Sequence, residues 1–196
     1  ESANWIEIHL VQFFGLFLLM LSIMILAESL RREYRNTAVE ALAFLALVTT
    51  IISAAVYAIL QGIDGISLKA MVDYWAEAPA NEKATAFRVS ESVRWIEVGI
   101  NSIFRFLQAI SAVLIGAAVA LTFNKSNSFR WARILGAVVI AFGIAMAVRG
   151  YAVAYSGFSA LNPLYSGTSL FVILFLLWMV IVGIVMWGRK RVSIPA

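Results

Sequence analysis

Five apolar segments, about 8–29, 38–61, 98–122, 131–149 and 168–187, each come close to the roughly 20 residues an α-helix needs to cross a bilayer. Lipid offers no hydrogen-bond partner to a peptide group, so such a segment has to satisfy its own backbone as a helix. The chain, residues 1–196, is therefore read as a single all-α domain: an integral membrane helical bundle of five transmembrane helices. Composition supports this, because only 13% of residues are charged and mean hydropathy is +0.90, whereas a soluble domain is about a quarter charged. No internal repeat of useful length is visible.

The distribution of charge sets an orientation. Arg31, Arg32 and Arg35 follow the first segment, Lys125, Arg130 and Arg133 lie around the turn after the third, and Arg189, Lys190 and Arg191 form the tail. Only Glu28, Glu33 and Glu40 accompany them on that side. By the positive-inside rule this side is cytoplasmic, with the N-terminus outside and the C-terminus inside. The net charge of +4 is thus a topology signal, and nucleic acid is not expected as a partner. The first apolar segment lacks a basic stretch before it and runs into a basic stop, so it reads as a retained span and not as a signal peptide.

Several chemistries are excluded. Without cysteine there is no disulfide, thiolate metal site or covalently attached c-type haem. With His9 the only histidine, no bis-histidine haem site forms within the chain. The spans carry no lysine for a Schiff base, and no glycine-rich phosphate loop, HExxH or GxSxG motif occurs. His9 reads as an interfacial polar residue, since Glu7, two positions away, does not share its helix face. Met20 and Met24, one turn apart, read as packing residues. No cofactor is assigned.

Polar residues fall in two stripes. In the third segment Arg94, Glu97, Asn101, Arg105 and Gln108 are spaced three and four apart, within an arc of roughly 80° on a helix. In the second, Thr50, Ser53, Tyr57, Gln61 and Asp64 repeat in the same manner. Both grow more polar toward the outside, and Arg149 ends the fourth span there. Charged groups in lipid are costly, so these stripes are expected to face each other, water or a ligand. Counting from Thr122 as the inner boundary, Arg105 lies about 25 Å into a hydrocarbon layer about 30 Å thick. Only Arg105 and Gln108 of the third-span stripe are then immersed, in the outer part. Below them Ala112, Ile115, Gly116 and Val119 continue the same face. The expected bundle is closed and apolar in its cytoplasmic half, with small residues such as Ala54, Gly116, Ala117, Gly136 and Gly143 allowing close helix contact.

Residues 62–97 form the one long outer loop. Within it Leu68, Met71, Val72 and Trp75 share one face, which predicts a short amphipathic helix on the outer membrane surface. Asn81 is a candidate N-cap for a helix continuing into the third span. Tyr151, Tyr155 and Tyr165 suit the outer interface, Trp131 and Trp187 the inner one, and Asn162-Pro163 signals a turn.

The sequence VRWIEVGINSIFR, with YSGFS at 155–159, resembles a loose group of small multispan prokaryotic membrane proteins defined only as a domain of unknown function. The resemblance covers most of the chain and implies a prokaryotic cytoplasmic (inner) membrane location and a helical bundle. It implies no activity, ligand or catalytic residue.

The functional expectation is a non-catalytic binding or accessory protein. Its outward-facing polar pocket would be lined by Arg94, Glu97, Asn101, Arg105, Gln108, Tyr57, Gln61, Asp64 and Arg149. A lipid headgroup, a small anion or a partner subunit would engage it, self-association included, and paired arginines favour an anion. The alternatives are a transporter or channel, which needs a polar path through both leaflets, and a membrane enzyme with Glu97 or Asp64 as acid or base. For Arg105 itself, pairing with Glu97 or an outer-loop carboxylate competes with a ligand role.

Overall fold

The computed structural model describes residues 4–122, 129–158, 174–175, 177–181 and 183–184, without the side chains of 129–131. Its helices are α1 (Trp5–Glu33), α2 (Ala38–Gly62), a π-helical segment (Ile63–Leu68), α3 (Lys69–Glu77), α4 (Lys83–Leu121) and α5 (Phe129–Ser156). Among the described residues no strand occurs. Four helices are long and apolar enough to cross a membrane: Trp5–Glu33, Ala38–Glu77, Lys83–Leu121 and Ala132–Ser156. Much of the expected fifth span, the turn at 162–163, Tyr165, the side chain of Trp131, Trp187 and the basic tail lie outside the described residues.

The helices stack in the order α1, α2, α4, α5, with α4 packed along both α2 and α5. The facing of the second and third spans predicted from their stripes is therefore realised. Val11, Leu18 and Ile25 on α1 and Ile51 and Ile59 on α2 point outward, an apolar periphery of the kind a helix presents to lipid. At 1.5 Å per residue, the 39 residues of α4 extend about 58 Å, well beyond a hydrocarbon layer of about 30 Å.

The α1–α2 turn defines the basic end of the bundle. Glu28 binds Arg31 and Arg32 at 2.9 and 2.8 Å. Glu40 instead accepts from the backbone N–H of Asn36 (2.6 Å), which sits at φ 58°. Asparagine tolerates this left-handed conformation better than most residues. Tyr34 Oη donates to the Thr122 carbonyl at 2.9 Å, tying the turn to the end of α4. Above it, Ala43, Ala46, Ala112, Ile115, Ala118 and Val119 form a close-packed apolar core.

Contact between α4 and α5 follows a seven-residue register. A Cβ built on Gly136 would lie 2.5 Å from the Gly116 carbonyl oxygen, one on Gly143 2.8 Å from that of Ala109, and one on Gly150 3.2 Å from that of Ser102. The helices can approach this closely only because these positions carry no side chain. A strict heptad of small residues keeps one seam facing its partner along the whole length. The described part of the final segment packs on α5 through stacked Phe142 and Phe175 rings at 4.1 Å, and Trp178 Nε1 donates to the Leu135 carbonyl at 2.7 Å.

The expected loop 62–97 is mostly helical. No connector separates α2 from α3: the π-helical turn carries the helix on to Glu77, with Ser67 Oγ donating to the Gly62 carbonyl five residues back at 3.4 Å. The apolar face predicted for 68–75 packs toward α4. Ser90 Oγ donates to the Met71 carbonyl at 2.7 Å, and Trp75 meets the edge of Phe87 at 5.5 Å between centroids. Asn81 is not the N-cap of α4. The helix begins at Lys83 with Glu82 preceding it, and the Pro79 carbonyl accepts from the N–H of both, so a proline-led turn meets the need that a capping side chain would meet.

Candidate functional site

The polar stripes converge at the end of the bundle opposite the arginine turn. Gly65 brings α1 there. A Cβ on Gly65 would stand 3.0 Å from His9 Cβ, so only glycine lets the π-helical turn press against His9 without displacing it. His9 Nε2 then lies 3.2 Å from Asp64 Oδ2, both groups largely buried. Its Nδ1 lies 2.7 Å from the Trp5 carbonyl oxygen, and its ring stacks on Trp5 at 4.8 Å. A carbonyl oxygen only accepts, so Nδ1 carries a hydrogen.

Glu97 is the most deeply buried charged residue of the cluster, at 1% exposure. It is ion-paired and hydrogen-bonded to Arg94, three residues earlier on α4. Asp64 and His9 are close enough to act on Glu97 electrostatically. Arg94 remains 43% exposed at its side chain and lies over the Phe158 ring at 4.6 Å. Three elements thus supply the cluster: α1 gives His9, the π-helical turn Asp64, and α4 Arg94 and Glu97.

The rest of the α4 stripe descends as a ladder. Arg105 Nε donates to Asn101 Oδ1 at 3.3 Å, and its Nη1 donates to Gln108 Oε1 at 3.2 Å. The guanidinium also stands 5.2 Å from the Phe104 ring centre. Arg149 is buried on α5, next to Gly150, whose carbonyl accepts from Ser102 Oγ at 2.8 Å; a Cβ on Gly150 would come 3.0 Å from Arg105 Cβ. On α2, Tyr57 Oη donates to the Gln12 carbonyl of α1 at 3.0 Å while its ring tilts against Phe104 at 4.9 Å. Gln61 Oε1 is buried with no hydrogen-bond partner among the described residues.

Of the sequence-predicted residues, Arg94, Glu97, Asn101, Arg105 and Gln108 are joined in a polar column along α4. Glu97 takes Arg94 as partner, and the carboxylate deepest in the loop, Asp64, takes His9. His9 was read as a lone interfacial residue because its partner is 55 positions away; its spacing of four from Trp5 was the only local signal. Among the described residues no three metal-ligating side chains come together. Met20 is a core residue at 2% exposure.

Long apolar helices with an apolar periphery and an internal polar column define an α-helical membrane protein. No protein-family model, curated protein or solved structure matches the chain.

Proposed function

We propose that this chain is a non-catalytic binding or accessory protein of the membrane, with its site at the polar end of the column. The observation that carries this reading is the gathering of Arg94, Glu97, Asp64 and His9 from three helical elements at one end. The other end of the spans is filled by Ala43, Ala46, Ala112, Ile115 and Val119. Burying charged groups is costly in lipid, and paired groups at one surface suit recognition of a polar or anionic ligand better than passage through the bilayer. Arg94, half-exposed beside the buried carboxylate, and Arg105 are the groups suited to a lipid headgroup, a small anion or an acidic segment of a partner subunit.

In the same reading the polar end is outward-facing, the arginine turn is cytoplasmic, and 168–187 completes a fifth span. A prokaryotic cytoplasmic membrane follows from the resemblance of VRWIEVGINSIFR and is proposed with it. The test is native mass spectrometry after extraction in mild detergent. A bound lipid, anion or protein is expected, lost in Arg105→Ala and retained in Arg32→Ala. A clean monomer with no adduct overturns the reading.

Transport is the second reading, favoured by one observation: the column continues inward past Gln61 to the Thr49–Ser111 hydrogen bond at 2.9 Å. Solute flux in proteoliposomes that vanishes in Arg105→Ala would replace the binding reading with this one.

A further inference from the structure

At the end of the bundle opposite the polar column, the turn between α1 and α2 forms an open cavity of about 590 Å³. Glu28, Arg31, Arg32, Arg35, Asn36 and Glu40 line it. Sites for small molecules and headgroups have volumes of roughly 300–1,000 Å³. The turn is braced at three points. Tyr34 Oη donates to the Thr122 carbonyl of α4, Thr37 Oγ1 donates to the Tyr34 carbonyl at 2.6 Å, and Asn36 donates its backbone N–H to Glu40. Arg35 and Asn36 are thus carried on backbone already held in place, which lowers the cost of ordering a contact to a ligand.

Donors and acceptors in the wall do not balance. A guanidinium carries five N–H donors and no acceptor. Glu28 takes one donor from Arg31 through Oε2 and one from Arg32 through Oε1, so both of its oxygens are engaged. Glu40 gives one oxygen to Asn36. Arg35 is exposed and makes no hydrogen bond or ion pair among the described residues. Three arginines stand against two glutamates, which leaves the wall with an excess of positive charge and of donors. A ligand that answers both is an anion with several acceptor oxygens, the chemistry of a phosphate.

The surroundings favour a phosphate that carries apolar chains. The Arg31 guanidinium lies 5.1 Å from the ring centre of Phe44, which is 48% exposed. Leu45 on α2 and Ile25 on α1 are exposed as well. The cavity therefore stands where polar surface gives way to apolar surface on both helices, and the Tyr34–Thr122 bond sets it level with the end of α4. We propose that it is a binding site for the headgroup of an anionic phospholipid, with Arg35 as the principal cation and the acyl chains along the exposed apolar groups. The ammonium of a zwitterionic headgroup would find both oxygens of Glu28 already occupied. This site does not depend on the one at the polar end.

Native mass spectrometry of the full chain in mild detergent tests this, with titration by phosphatidylglycerol or by phosphatidylcholine of the same acyl chains. The parent protein is expected to bind phosphatidylglycerol several-fold more tightly. In Arg35→Gln that binding should weaken about fivefold, the effect of one basic residue near an anionic headgroup. Arg35→Lys, which keeps the charge, should restore it, and Arg105→Ala should leave it unchanged. Arg35 has no partner to lose, so these substitutions spare the fold. Equal binding of the two lipids by the parent protein overturns the site. A preference that survives Arg35→Gln and disappears in Arg105→Ala also overturns it, because the lipid then sits at the other end. Inorganic phosphate that binds at Arg35 as tightly as the lipid overturns the lipid assignment in favour of a free anion.

Discussion

Arg94 and Glu97 are partners of unequal burial, and removing one should not cost what removing the other costs. In Arg94→Gln the Glu97 carboxyl, 1% exposed, loses the cation it is paired with. An uncompensated buried charge of this kind costs about 3–5 kcal/mol. In Glu97→Gln the partner left behind is a guanidinium with 43% of its side chain exposed, which can turn into water, so the cost approaches that of a surface pair, about 1 kcal/mol or less. With Glu97 already replaced, removing Arg94 should add little, so the coupling in the double-mutant cycle approaches the whole cost of Arg94→Gln, about 3–5 kcal/mol. Reversible unfolding in a mild detergent, with the four proteins compared under one condition, measures all three quantities. Equal single costs, or a larger cost for Glu97→Gln, would refute the asymmetry of burial as its cause.

Three further substitutions separate packing from polarity. Gly136→Ala forces a methyl to 2.5 Å from the Gly116 carbonyl oxygen and should destabilise by about 1–3 kcal/mol, whereas Gly99→Ala on α4 meets nothing within 4 Å and should gain about 0.5–1 kcal/mol from helix propensity. Thermal melts of the two side by side should shift in opposite directions. Tyr57→Phe removes the bond to the Gln12 carbonyl but keeps the ring on Phe104, and a loss of about 0.5–1.5 kcal/mol in unfolding free energy is expected.

The spans and the two polar stripes were legible because they depend on local periodicity: an apolar run of about 20 residues and a spacing of three and four carry their own meaning. What escaped depends on pairs distant in sequence or on backbone geometry. The small residues Gly116, Gly136 and Gly143 were visible, but their register with Ala109 and Gly150 emerges only once α4 and α5 are laid antiparallel. Residues 62–77 read as a loop with a separate helix because the apolar run ends at 61 and charged residues follow. The helix instead continues through a π-helical turn, where Gly65 serves the close approach of His9. Asp64 and Glu97 were each identified as polar-column residues. The partner of Glu97, Arg94 three residues earlier, was legible from local spacing, whereas that of Asp64 was not, because His9 comes from α1.

Two buried faces of α4 explain why one helix can carry both the fold and the candidate site. On one face Ser102, Ala109 and Gly116 keep the seven-residue seam with α5, and their small size is what the seam uses. Beside it Glu97, Asn101, Gln108 and Ser111 run down toward Ala112 and Ile115, Ser111 bonding Thr49 of α2, while Arg105 has its Cβ close to Gly150 of α5. The seam fixes α4 against α5 through backbone proximity and needs no charge. Charged residues in a membrane helix are costly, and here the seam and the apolar core below supply contact enough without them. In the proposed binding reading the seam and Arg105 should separate: substitutions on the seam lower stability, whereas Arg105→Ala removes ligand and leaves the bundle standing.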